Sequence, residues 1–100
     1  MSVLCTATWV IRQECADDFV TTLGGMFAET RTHDGFIGIR LLKSETAENE
    51  FILLQEWETT QHHQAYVAFR GERGDLDRLA AMTAGPTPIR YWGADPLAAA

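Results

Sequence analysis

The sequence predicts an α+β fold. The arrangement is a ferredoxin-like split βαβ, with a four-stranded antiparallel sheet backed by helices and a second copy closing a two-sheet barrel across a dimer. Three observations predict it. The chain has 100 residues, which fits a single domain over 1–100 with about 94–100 a frayed tail. Its hydrophobic period alternates between strand-like and helix-like in the order β-α-β-β-α-(α)-β. Strands 1 to 3 carry apolar residues on both faces, yet helices cover only one face of such a sheet, so a second copy must cover the other.

The first strand is read over Val3 to Ile11, a β-rich run bounded by Arg12-Gln13-Glu14. Alternation puts Val3, Cys5, Ala7, Trp9 and Ile11 on one face and Leu4, Thr6, Thr8 and Val10 on the other. From about Ala16 to Arg31 the period becomes helical, with Ala16, Phe19, Val20, Leu23, Met26, Phe27 and Thr30 in phase. Asp17 and Asp18 sit in its first turn, where the helix dipole favours negative charge. Gly24-Gly25 costs that helix about 1 kcal/mol per glycine relative to alanine, which calls for a close approach to a sheet or ligand, or a kink.

His33-Asp34-Gly35 is a turn signal, and Phe36 to Lys43 reads as the second strand. The polar segment Ser44 to Asn49 connects it to a third strand, Phe51 to Trp57, in an antiparallel hairpin. Thr59 or Thr60 caps the next helix, which runs to about Arg70 with His62, Ala65, Tyr66 and Phe69 on its inward face. Asp75 caps a short third helix with Leu76, Leu79 and Ala80 inward, and Gly85-Pro86 ends it. The last strand is Pro88 to Trp92, with the proline at its start or on an edge.

Composition excludes several functions. The net charge is −6 and there is no basic run, which argues against nucleic acid or an anionic membrane as partner. No apolar run approaches the roughly 20 residues of a membrane span. The start, Met1-Ser2-Val3-Leu4, lacks the pattern of a secretory signal, so a cytoplasmic location is expected. Cys5 and Cys15 make no disulfide framework and read as reduced thiols.

The stretch Thr32 to Tyr66 resembles the antibiotic biosynthesis monooxygenase family. The resemblance rests on Gly35-Phe36-Ile37-Gly38-Ile39-Arg40-Leu41-Leu42, on Phe51-Ile52-Leu53-Leu54-Gln55-Glu56-Trp57-Glu58-Thr59, and on the aromatic-bearing helix that follows. It implies a dimeric α+β barrel, a homodimer through the open face of the sheet, and a pocket between sheet and helices. It also implies oxidation of a phenolic, quinol-like or polyketide aromatic by O₂ without a cofactor. Many relatives carry a histidine nine positions after the Trp that ends the third strand, and Tyr66 stands there in this chain.

An electron-rich phenolate can itself donate electrons to O₂, so the protein must orient it, remove a proton, stabilise the anion and exclude water. His62 and Tyr66, at i and i+4, are the catalytic candidates, His62 as general base and Tyr66 as hydrogen-bond donor to an oxyanion. The alternative is that both simply pack against the sheet. Substrate-binding candidates are Arg40, Trp57, Phe69, Met26 and Phe27. Arg40 can instead pair with a strand-3 glutamate such as Glu56, and Arg90 admits the same two readings. Trp9, Trp57, Tyr91 and Trp92 read otherwise as core or interface aromatics.

His63 is expected at the helix flank. His62 and His63, adjacent on a helix, point about 100° apart, and no metal site is expected. Two other functions compete with the oxygenase reading. Haem binding or degradation on a similar fold would bring an Asn on the first strand and a late His, but no Asn precedes Asn49 and no His follows His63. A non-catalytic dimer that binds a small molecule is the other.

Overall fold

In the computed structural model, which describes residues 2–98, four antiparallel strands form one sheet in the order β2-β3-β1-β4. They are β1 (Val3–Val10), β2 (Phe36–Lys43), β3 (Glu50–Trp57) and β4 (Ile89–Trp92). Helices α1 (Ala16–Thr30), α2 (Thr60–Glu72) and α3 (Asp75–Ala80) complete the split βαβ order. The predicted frayed tail falls partly on residues 99–100, outside the described residues. Before them, the Ala98 N–H donates to the Asp95 carbonyl at 3.2 Å in a turn.

Alternation along β1 holds. Cys5 and Ala7 are buried on the helix side, while Leu4 on the other face is exposed. The strand stops one residue earlier than predicted, because Ile11 leaves the β1–β3 ladder and makes an isolated bridge with Thr83. The core lies between sheet and helices and joins Ala7, Ile11, Phe19, Leu23, Met26, Phe51, Leu53 and Leu79.

The turn into β2 requires glycine twice over. Gly35 has φ +82°, and a Cβ there would stand 2.3 Å from Cγ of His62. Gly24 and Gly25 have no such reason. A Cβ on either meets nothing within 4 Å, so close approach does not explain them.

Two helix expectations are corrected. At α3 the cap position is Gly74, at φ +79°, and Asp75 is the first helical residue, buried against Arg70; Leu79 points inward but Ala80 is exposed. At α2 the cap is Thr59, whose Oγ1 accepts from the His62 N–H at 3.1 Å. The buried face is His63, Tyr66 and Arg70, with His62 only partly buried and Ala65 exposed. The helix is thus turned by one residue from its predicted phase. Thr59 Oγ1 also bonds His62 Nδ1 at 2.7 Å and so holds that side chain back over Gly35.

Candidate functional site

The inward residues of the sheet line up in cross-strand rows. One row is Leu53–Ala7–Ile89, the next toward the start of β1 is Gln55–Cys5–Tyr91, and on the other side Trp9 stands opposite Phe51. Successive rows are about 6.7 Å apart along a strand. The central residue of the middle row is alanine, flanked by a cysteine beneath His63 and by a tryptophan. Above that alanine the sheet and helices form a partly open cavity of about 160 Å³. Leu23 and Met26 of α1, Leu76 and Leu79 of α3, and His63, Tyr66, Val67 and Arg70 of α2 complete its walls, with Trp9, Gln55 and Thr87.

At one end of the cavity the polar row meets His63, which is 2% exposed. Its Nδ1 lies 2.8 Å from the Tyr91 hydroxyl. Its Nε2 lies 3.5 Å from Gln55 Nε2 and 3.6 Å from Cys5 Sγ. The donor order follows from Trp57, whose indole N–H only donates and reaches Gln55 Oε1 at 3.1 Å. That turns the Gln55 amide group toward His63, so Nε2 is the acceptor and the network assigns the ring proton to Nδ1, which donates to Tyr91. Burial lowers the His63 pKa and keeps the imidazole neutral. Burial also pushes the Cys5 thiol up to about 11, so it is no thiolate nucleophile at neutral pH.

The opposite wall holds a closed polar network. Arg70, 2% exposed, has five donors and uses all of them. Nε donates to the Tyr66 hydroxyl at 2.8 Å, Nη1 to Glu29 at 2.7 Å and Asp75 at 2.9 Å, and Nη2 to the Met26 carbonyl at 3.0 Å and Thr30 Oγ1 at 3.2 Å. Burial opposes the Arg70 charge, and the bonds to Tyr66, Asp75 and Glu29 outweigh it and raise the pKa. Thr30 Oγ1 donates to Met26 O at 3.0 Å, so the Tyr66 hydroxyl donates to Thr30 across 2.7 Å. Both groups line the cavity with every donor already committed. Their role is to join α1, α2 and α3.

The predicted site residues are therefore dispersed. Met26 and Tyr66 line the cavity. His62 lies outside it, in a shallow depression with His33, Asp34 and Gln61. Trp57 has no exposed surface and stands behind the polar row, against Phe36, His63 and Tyr66. Phe69 packs on His33 with ring centroids 4.5 Å apart and lies under Arg73. Phe27 packs against the core beside Arg31. Arg40 faces the open side of the sheet, exposed, and none of the ion pairs among the described residues involves it. Glu56, its alternative partner, is bonded by the Ser2 hydroxyl. Arg90 instead covers the Trp92 ring at 4.5 Å.

The sequence places His63 at the helix flank, whereas the one-residue turn of α2 buries it, 2% exposed; Gln55 and Ala7 have no assigned role in the sequence reading. One available signal was Gln55 itself, a polar residue in the inward phase of Phe51, Leu53 and Trp57. Among the described residues no group of three or more His, Cys, Asp or Glu side chains is placed to hold a metal ion, and no helix is long and apolar enough to cross a membrane.

The model of the antibiotic biosynthesis monooxygenase family matches residues 2–69. No curated protein matches the sequence. Several solved structures share the architecture. A conserved protein from Methanosarcina mazei Go1 superposes with TM-score 0.84 at 14% identity, covering 92% of this chain and 91% of its own. SnoaB from Streptomyces nogalater, a cofactor-independent oxygenase, gives 0.82 at 15%, covering 94% and 93%. Rv0793 from Mycobacterium tuberculosis gives 0.77 at 18%, covering 94% and 95%. At these identities the likeness is one of fold.

Proposed function

Because the chain belongs to the antibiotic biosynthesis monooxygenase family, we propose that it is a cofactor-independent monooxygenase that oxidises a phenolic or quinol-type aromatic with O₂. The observation that carries this reading is the partly open cavity over Ala7, apolar on most sides and bordered at one end by a buried histidine that burial keeps neutral. SnoaB, of the same fold, is a cofactor-independent oxygenase and supports the reading.

His63 replaces His62 as general base, with Nε2 the basic atom once the substrate hydroxyl displaces the long 3.5 Å bond from Gln55. It takes the proton of a ring hydroxyl, and the phenolate formed supplies the electrons that reduce O₂. One oxygen atom enters the ring, which reaches the quinone level, and the other leaves as water. The apolar walls keep bulk water from the anion and its oxygenated successor. Tyr91 and Gln55 are positioning residues that hold the imidazole in the required tautomer. Haem is a poor fit, because a cavity of about 160 Å³ is well below the roughly 300–1,000 Å³ of ordinary ligand pockets.

The working form is a homodimer. On the face of the sheet away from the helices, Leu4, Leu42, Ile52 and Trp92 are each about 40% exposed, an apolar surface that a second copy would cover.

An oxygen electrode tests the activity. Purified protein given a panel of phenols and hydroquinones should consume O₂ while a quinone absorption band appears, and His63→Gln should slow this on the order of 100-fold. O₂ uptake no faster than the buffer control across that panel would remove the oxygenase reading.

A further inference from the structure

The face of the sheet away from the helices is also built in cross-strand rows. They are Gly38–Glu56–Leu4–Trp92, Arg40–Leu54–Thr6–Arg90 and Leu42–Ile52–Thr8. Charges stand among the apolar side chains of this face. Arg40 is exposed and has no ion-pair partner among the described residues. Glu56, its diagonal neighbour in the next row, is turned to the Ser2 hydroxyl instead. Arg90 is engaged over the Trp92 ring. In water an unpaired guanidinium costs nothing. Covered by a second copy it would be a charge stripped of solvent, which is strongly unfavourable unless the covering surface brings a carboxylate.

The face itself supplies one. Beside Glu56, Gly38 has no side chain, and a Cβ there would meet nothing within 4 Å. The result is a dent of about 140 Å³, walled by Leu4, Arg40, Leu54 and Glu56, with Glu56 its one acidic group. Glu50, in the same phase of β3, lies at the far end of the strand opposite Val10. The Arg40 row and the Glu56 row are adjacent, about 6.7 Å apart. A twofold axis running between them, parallel to both, lays each row on the other. Arg40 of one copy then stands over Gly38 of the second copy, next to its Glu56. The same operation makes the contact twice.

We propose that the Arg40 guanidinium inserts into the Gly38 dent of a second copy and pairs with its Glu56, so that two reciprocal ion pairs set the register of the dimer. The inference rests on the homodimer proposed above.

Sedimentation equilibrium of the full chain tests it, with the single variants Arg40→Glu and Glu56→Arg. Each puts like charges in both contacts and should raise the dimer dissociation constant on the order of 100-fold. An equimolar mixture of the two variants should dimerise about as tightly as the parent, because both contacts of the mixed dimer again join opposite charges. A pair formed within one chain would be restored in the double variant but not by mixing. Gly38→Leu fills the dent without changing charge and should weaken the dimer, alone or mixed with either variant. Single variants that dimerise like the parent, or a mixture no tighter than its components, would overturn the ion pair and leave the dimer standing. If a charge variant does not fold, Gly38→Leu decides, and a dimer as tight as the parent's would overturn the proposal. A parent chain that stays monomeric at millimolar concentration would remove the dimer and the ion pair together.

Discussion

His63 on α2 and Tyr91 on β4, 28 residues apart in sequence, are joined by a 2.8 Å hydrogen bond that ties an edge strand to the helix above it. The bond fixes the imidazole plane and occupies Nδ1, leaving Nε2 as the basic atom. Tyr91→Phe should therefore lower kcat about tenfold while His63 remains, measured as O₂ uptake. A KM that rises while kcat holds would place Tyr91 in substrate binding instead.

Neighbouring histidines should behave differently. His63→Gln removes the buried base, whereas His62→Gln alters a partly buried ring that bonds only its own helix cap. We expect His62→Gln to stay within about threefold of the parent rate, against a loss on the order of 100-fold for His63→Gln. Equal losses would show that the base is not distinguished by the phase of α2.

Acid should reveal His63 before any carboxylate. Burial holds its pKa below the ordinary 6.5, so as pH falls through 6.5 the unfolded chain binds a proton first. The associated stability is complete above 6.5 and is lost as pH falls toward the folded value. Glu29, held low chiefly by its hydrogen bond to Arg73, contributes above the ordinary 4.5 and loses its contribution below that. Between about pH 7.5 and 5.5, denaturant unfolding should show a loss in the parent chain that His63→Gln lacks.

Arg70 and Tyr66 should matter for stability more than for turnover. Arg70→Met leaves Asp75 buried without its main partner and should cost about 3–5 kcal/mol. Tyr66→Phe removes one hydroxyl from a network that keeps its other bonds, at about 1–2 kcal/mol. Urea titrations measure both, and Tyr66→Phe should retain most of the parent kcat.

Gly24→Ala and Gly25→Ala should each stabilise the chain by about 0.5–1 kcal/mol, since the helix gains and the new methyl meets nothing. A raised Tm in thermal melts checks this. A fall would mean that this surface of α1 is covered in the assembled protein.

Much of the fold was legible because alternation and helical spacing respond to the same burial that builds the core. All four strands and all three helices appear where period and turn signals place them, within a few residues. The candidate site was less legible, for a physical reason. The inward face of α2 is polar, His63, Tyr66 and Arg70, and each is stabilised by partners on distant elements that no local pattern displays. Apolar periodicity therefore favoured Ala65 and Phe69 and set the helix one residue out of phase. Ala7 carries the same lesson, since a small residue in a strand does not announce that the space above it is left open.

The rows of the sheet separate two properties. The residues that orient His63 project from Gln55–Cys5–Tyr91, and those that set the room for a ligand project from Leu53–Ala7–Ile89. Neighbouring rows share strands but no residue. A lineage built on this frame can exchange a methyl for a larger or smaller group in one row, and so change what it accepts, while the machinery in the other is inherited intact.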